Sequence, residues 1–256
     1  MKLYKLDELP KESGDILLFY GESGVGKSVS TLQTAPDPIL YFLTEPRDPR
    51  KFLQAAGRPD VKIKFGFYES WDDTMQFFID PKNTEWARTI VVDSLTFLSN
   101  IQLTSEIEDQ SWDSRTDKEK SDKPIIMRTK MSLEGFGGLA GQMTRFVNII
   151  SKLSQSGKTI ILLSLLEQNP KFNRELSAGP ALKGKDFPKT LPGFCDFIFL
   201  VEPRIDDKGN VLYPPLITVR GDGSFMAKWT GSPPKNNKYP LNIQKILDTA
   251  HGRIQS

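Results

Sequence analysis

The residues best suited to chemistry stand together early in the chain. Gly21, Glu22, Ser23, Gly24, Val25, Gly26, Lys27 and Ser28 spell G-x-x-x-x-G-K-[ST], and Val29 follows in the same run. Glycines at these places let successive backbone N–H groups turn inward around one anion, because a side chain would block either the dihedrals or the close approach. A lysine directly after the last glycine can reach the outer oxygens of a polyphosphate, and the next hydroxyl can ligate a hard cation. The chemistry implied is the cradling of nucleotide phosphates, with ATP and Mg²⁺ as the expected ligands.

A Mg²⁺ site of this kind also needs a carboxylate at a neighbouring strand end. "RTIVVDSLT" (88–96) supplies Asp93 after a β-branched run, a Walker B pattern. Many P-loop ATPases carry a glutamate next, to activate water; this chain has Ser94. The base must then come from another strand. "PILYFLTE" (38–45) ends in Glu45, and parallel strands deliver their C-terminal ends to one edge, where ligands sit. Glu45 is therefore expected to orient the attacking water.

These side chains need strands that end together and a helix that starts at the lysine. "DILLFY" (15–20) reads as the strand before the loop and "KSVSTLQTA" (27–35) as the helix after it, whose N-terminal N–H groups and dipole favour an anion. "IKFGFYE" (63–69), "KTIILLS" (158–164) and "CDFIFLVEP" (195–203) read as further strands. "WDDTMQFFID" (71–80), 97–107 and 132–157 read as helices, the last stopped by Gly157. "VLYPPLITVRG" and "SFMAKWTG" have the look of a terminal hairpin or meander. Strands alternating with helices predict an α/β fold, a mostly parallel central sheet flanked by helices with antiparallel strands toward the C-terminus. The expected division is an N-terminal extension (1–12), a core (13–230) and a C-terminal tail with a short helix (231–256). Two long segments break the alternation: 108–130, densely charged, and 168–194, rich in Pro, Gly and Lys. Segments of such length inside a compact domain tend to be functional or disordered.

Composition narrows the chemistry. With 256 residues, 38% apolar and 26% charged, the chain can bury a sizeable core. A single cysteine and a single histidine exclude an intrachain disulfide and a zinc site of the usual Cys/His kind. Cys195 lies in an apolar stretch and reads as a small core residue. No apolar run approaches the roughly 18 residues of a membrane span, and "MKLYKLDELPKES" lacks the apolar region of a secretory signal, so a cytoplasmic location with no membrane partner is expected. A net charge of +2 neither demands nor forbids nucleic acid.

In the order of these features the chain resembles the RecA-type recombinase core: P-loop, strand ending in Glu45, strand ending in Asp93-Ser94, loop, helix, strand with a polar end, loop. More closely it resembles small phage-encoded RecA-like nucleotide-binding proteins, including the Sak-type single-strand annealing proteins, over roughly residues 13–230. "GFGGLAGQMTRFVNIISKL" is similar to their helix before the fifth strand, and "GPALKGKDFPKTLPGFCDFIFLV" to their Gly/Pro/Lys segment and the strand after it. The resemblance implies a RecA-like ATPase in phage recombination or replication, in the cytoplasm of an infected host. It implies a homo-oligomer, ring or filament, working on single-stranded DNA, with a single-strand binding protein as a further partner.

By that resemblance 108–130 and 168–187 take the places of DNA-facing loops. Trp112, Arg115, Arg128 and Lys130 in the first, and Lys171, Phe172 and Arg174 in the second, would contact DNA, basic groups tracking phosphates and aromatics stacking on bases. Acidic residues of the first segment nearly cancel its basic ones, which equally suits a solvated linker. The γ-phosphate sensor falls to Gln168 or Glu167, where related phage proteins often have histidine. Lys183, Lys185, Arg220 and Lys228 are the candidates for reaching a neighbouring subunit's nucleotide. Two rival readings stay open: a nucleotide-binding scaffold that contacts protein, favoured by the near-neutral charge, and a small-molecule kinase, disfavoured by scattered arginines.

Overall fold

A computed structural model describes residues 13–113, 131–231 and 233–254. Its strands are β1 (Ile16–Gly21), β2 (Ile39–Leu43), β3 (Ile63–Phe67), β4 (Thr89–Asp93), β5 (Thr159–Gln168), β6 (Ala178–Pro180), β7 (Phe197–Ile205), β8 (Val211–Thr218), β9 (Lys228–Trp229) and β10 (Lys238–Pro240). The sheet runs β10-β8-β7-β1-β5-β4-β2-β3, with β6 added to β5 and β9 to β7. The pairs from β7 through β3 along this order are parallel, and β6, β8, β9 and β10 pair antiparallel. This is the expected α/β architecture with antiparallel strands toward the C-terminus.

Helices cover both faces, which is why the central strands read as unbroken apolar runs rather than alternating ones. The helices are α1 (Lys27–Thr34), α2 (Pro49–Ala56), α3 (Trp71–Ile79), α4 (Pro81–Thr84), α5 (Leu95–Phe97), α6 (Thr104–Asp113), α7 (Leu133–Gln155), α8 (Asp186–Thr190) and α9 (Ile243–Ala250). A π-helical stretch, Leu98–Leu103, joins α5 to α6, so the helix expected at 97–107 is a composite. Leu17 and Phe19 of β1 pack with Leu32 of α1, Ala56 of α2 and Ile246 of α9. Ile16, Leu18 and Tyr20 point the other way, toward Phe78 of α3 and Phe146 of α7.

Helix α7 shows which force sets local structure. Gly135, Gly137, Gly138 and Gly141 each cost about 1 kcal/mol relative to alanine in a helix interior. Against this, Leu139, Met143, Phe146, Val147 and Ile150 are buried at helical spacing. Such side chains contribute about 1.5–3 kcal/mol each, so packing wins. Ser132 caps the N-terminus by accepting from the Gly135 N–H at 3.0 Å.

Three segments gain detail from the structure. The segment 168–194 is not structureless: it carries β6, α8 and a 3₁₀ turn (Leu191–Gly193), short elements fixed by pairing with β5 and by Phe187 and Leu191 in the core. The C-terminal hairpin joins β7 to β8, and β9 pairs with β7 rather than with β8, because Phe197 stands opposite Trp229. Strand β10 pairs with β8 and α9 buries Ile243, Ile246 and Leu247, so the C-terminal segment packs as part of the same body. Among the described residues no helix is long and apolar enough to cross a membrane.

Candidate nucleotide site

β1 ends at Gly21, in register with Leu165 of β5 and Val201 of β7. A Cβ on Gly21 would lie 2.5 Å from the Val201 carbonyl oxygen, so glycine is what lets β7 close on the strand end. The loop leaves Glu22, Ser23 and Gly24 exposed and enters α1 through Gly26, whose φ of 102° is in the left-handed region. A side chain at Gly26 would also run into the Tyr213 ring, 2.8 Å from an ideal Cβ. Helix α1 has no side-chain cap and no acidic residue in its first turn, which leaves its leading N–H groups and positive dipole end for an anion.

Lys27 is 8% exposed, and its ammonium donates to the carbonyls of Gly21 and Glu22, both at 2.8 Å. Burial brings its pKa down to about 8; Asp93 and Glu45 pull it back up, and Arg47 pushes it down. A phosphate in the loop would supply the anionic partner that two neutral carbonyls do not. Ser28 Oγ donates to Asp93 Oδ2 at 2.7 Å, and the wholly buried Tyr41 hydroxyl donates to the same oxygen at 2.6 Å. Burial, then Asp93, holds the Tyr41 phenol well above its ordinary pKa, so it remains a donor.

A carboxylate and a hydroxyl in contact beside a phosphate cradle are hard oxygen donors, and they fit Mg²⁺, which takes one or two protein ligands and fills its shell with phosphate and water. Among the described residues no group of three or more His, Cys, Asp or Glu side chains is placed to hold a metal ion. Ser28 and Asp93 would hold the ion, which would supply positive charge to offset that of the bound phosphates.

Glu45 stands two residues past Leu43, which is in register with Asp93 across β2 and β4. The two strand ends are laced together: Thr44 N–H donates to the Asp93 carbonyl at 2.9 Å, Thr44 Oγ1 to the Ser94 carbonyl at 2.8 Å, and Ser94 N–H to Thr44 Oγ1 at 2.9 Å. Gln102 Nε2 adds a bond to the Thr44 carbonyl at 2.8 Å. Ser94 Oγ then donates to Glu45 Oε1 at 2.9 Å, so the serine that replaces the usual glutamate is what orients the glutamate from the next strand. Arg47 Nη2 lies 2.5 Å from Glu45 Oε2. Burial raises the pKa of Glu45, and the Ser94 hydrogen bond and Arg47 oppose that rise. The arrangement places a cation, a hydroxyl–carboxylate pair and an oriented second carboxylate at one sheet edge, the set needed to bind a triphosphate and direct water at it.

Tyr41 and Arg47 were missed from sequence. A tyrosine inside a buried strand must find a partner for its hydroxyl, which was the available signal; nothing but proximity to Glu45 marked Arg47.

The remaining predicted residues scatter. Gln168 is exposed at the end of β5, beyond Leu165, and pairs with Ala178 of β6. Lys171, Lys183 and Lys185 line a separate cavity of about 970 Å³, together with Glu167, Leu133 and Phe136. Lys183 Nζ is 3.8 Å from Glu108 and 6.0 Å from the Phe136 ring centre. Leu133, 91% exposed, and Phe136 were not anticipated as parts of this surface. Phe172 is buried against Gly179, and Arg174 is exposed. Arg220 donates to the Pro234 carbonyl at 2.7 Å, and Lys228 to the Cys195 carbonyl at 2.5 Å, so both are engaged within the chain. Arg115, Arg128 and Lys130 lie outside the described residues, as does the side chain of Trp112. Cys195 is buried, which pushes its thiol up to about 12, as fits a core residue.

Fold and site together define a P-loop nucleotide-binding protein. Residues 14–211 match the family described as AAA domain, and the chain belongs to that family. NTPase activity is the general expectation for such a domain. No curated protein matches the chain significantly.

Proposed function

We propose that the protein is a Mg²⁺-dependent, RecA-like ATPase that acts on single-stranded DNA in phage recombination or replication. The observation that carries the ATPase reading is the Ser94–Glu45 bond of 2.9 Å, which fixes a buried carboxylate beside Lys27 and Asp93. Lys27 and the α1 N-terminus hold the phosphates. Glu45 accepts a proton from water as the water oxygen bonds to the γ-phosphorus. The bond to the β–γ bridging oxygen breaks, and its electron pair leaves with ADP.

The DNA reading is supported by the cavity that Lys171, Lys183 and Lys185 line together with apolar Leu133 and Phe136. Basic groups mixed with apolar and aromatic ones suit sequence-tolerant single-strand binding. In this reading the protein works as a homo-oligomer, with Lys185 available to a neighbouring subunit and Gln168 as the γ-phosphate sensor. Fluorescence anisotropy of a labelled oligonucleotide, with and without ATP, is expected to show salt-sensitive binding; no binding at low salt in either condition refutes DNA as the partner. A second reading, a nucleotide-binding scaffold, is favoured by the exposure of Leu133 and by Glu167 and Asp186 in the same lining. DNA stimulation of ATP hydrolysis separates the two.

A further inference from the structure

Glu45 has both carboxylate oxygens engaged: Oε1 accepts from Ser94 at 2.9 Å, and Oε2 pairs with Arg47 at 2.5 Å. With a partner already on each oxygen, water approaching Glu45 must share an oxygen with Ser94 or with Arg47. Its two partners differ in freedom. Ser94 is 3% exposed and pinned by the Thr44 bonds. The Arg47 side chain is 49% exposed, against 4% for that of Glu45, so the guanidinium sits on the solvent side of the pair. The other arginines near this loop have their own carboxylates: Arg50 is forked onto Asp48, and Arg58 lies 3.5 Å from Asp37. The Arg47 charge acts on Lys27 and Tyr41 as well as on Glu45.

We propose that Arg47 is a latch on Glu45 that a terminal phosphate releases: the guanidinium pairs with Oε2 and moves onto the γ-phosphate when a triphosphate binds. This rests on the triphosphate reading above. A terminal phosphate carries more negative charge than a carboxylate and presents oxygens that a guanidinium can fork onto, so the exchange favours phosphate. Releasing Oε2 frees it for water, while Ser94 keeps the carboxylate in place through Oε1. A diphosphate, which lacks the terminal group, leaves the latch closed. The base is thereby uncovered only when there is a bond to hydrolyse.

The test is a double-mutant cycle on nucleotide affinity, measured with fluorescent ADP and a fluorescent non-hydrolysable ATP analogue in the presence of Mg²⁺. Arg47→Ala is expected to weaken the triphosphate by about tenfold while leaving the diphosphate unchanged. Glu45→Gln removes the competing anion, so it should raise the triphosphate-to-diphosphate preference by about tenfold, and that gain should vanish in the Arg47→Ala background. Arg47→Lys, which keeps the charge but not the fork, should recover part of the preference, and unfolding temperatures show that each variant is folded. Equal weakening of both nucleotides by Arg47→Ala, or an unchanged preference in Glu45→Gln, overturns the latch. Failure of the wild type to bind either nucleotide overturns the triphosphate reading along with it, whereas a wild type that hydrolyses ATP with no coupling in the cycle overturns the latch alone.

Discussion

The phosphate edge and the lysine-lined cavity lie on the same molecule and are built in opposite ways. At the phosphate edge, Lys27, Ser28, Tyr41, Thr44, Asp93, Ser94, Glu45 and Arg47 are each tied to another member of the group or to the loop backbone. In the cavity, Lys171 and Lys185 are exposed, Leu133 is almost bare, and Lys183 holds Glu108 only at 3.8 Å. Preorganised donors and acceptors suit a reaction, because they need no rearrangement as charge develops. A roomy surface with exposed cations suits a flexible polymer whose phosphates can be met in many ways.

If that contrast is right, single changes at the edge should be severe and specific, and changes in the cavity mild and salt-dependent. Lys27→Ala should lower the rate of phosphate release by about 10²–10³-fold, the cost of deleting one preorganised group on the transferring phosphate. A rate within a factor of two of wild type would erase the contrast. Tyr41→Phe removes only a hydroxyl, but that hydroxyl fixes Asp93. The Mg²⁺ concentration needed for half-maximal nucleotide binding should rise by about 10–100-fold, with Mg²⁺-free binding unchanged. The double change Lys183→Ala and Lys185→Ala should leave nucleotide binding intact. It should reduce the slope of log affinity for single-stranded DNA against log salt by about 1.4, the value for two lost phosphate contacts. An unchanged slope would remove these lysines from the DNA path.

The same contrast explains what could be read from the sequence. The loop at 21–28 was legible because backbone geometry around an anion restricts residue type at each position, and the restriction survives whatever surrounds it. Asp93 and Glu45 could be placed because parallel strands end at one edge. Their link could not: it runs through Ser94 and Thr44, whose hydroxyls acquire roles only when β2 and β4 pair. Tyr41 looked like one more apolar strand residue. Helix α2 was overlooked although Asp48 caps it and Gly57 ends it in the left-handed region. In the cavity the difficulty was greater. Composition flagged the lysines, but burial sorted them: Phe172 went into the core and Lys228 onto backbone carbonyls, while Leu133 and Phe136 came to the surface from the start of α7. Tertiary packing makes those assignments, and no local pattern encodes them.

The central claim is that Glu45, oriented by Ser94, is the base of an ATPase that lacks a glutamate after its Walker B aspartate. Its most direct test is single-turnover hydrolysis of Mg²⁺-ATP by wild type and Glu45→Gln, with nucleotide binding measured on the same samples. The account predicts that the variant still binds ATP and hydrolyses it about 10²–10⁴-fold more slowly, the range for losing a general base. Hydrolysis by Glu45→Gln at the wild-type rate would contradict it.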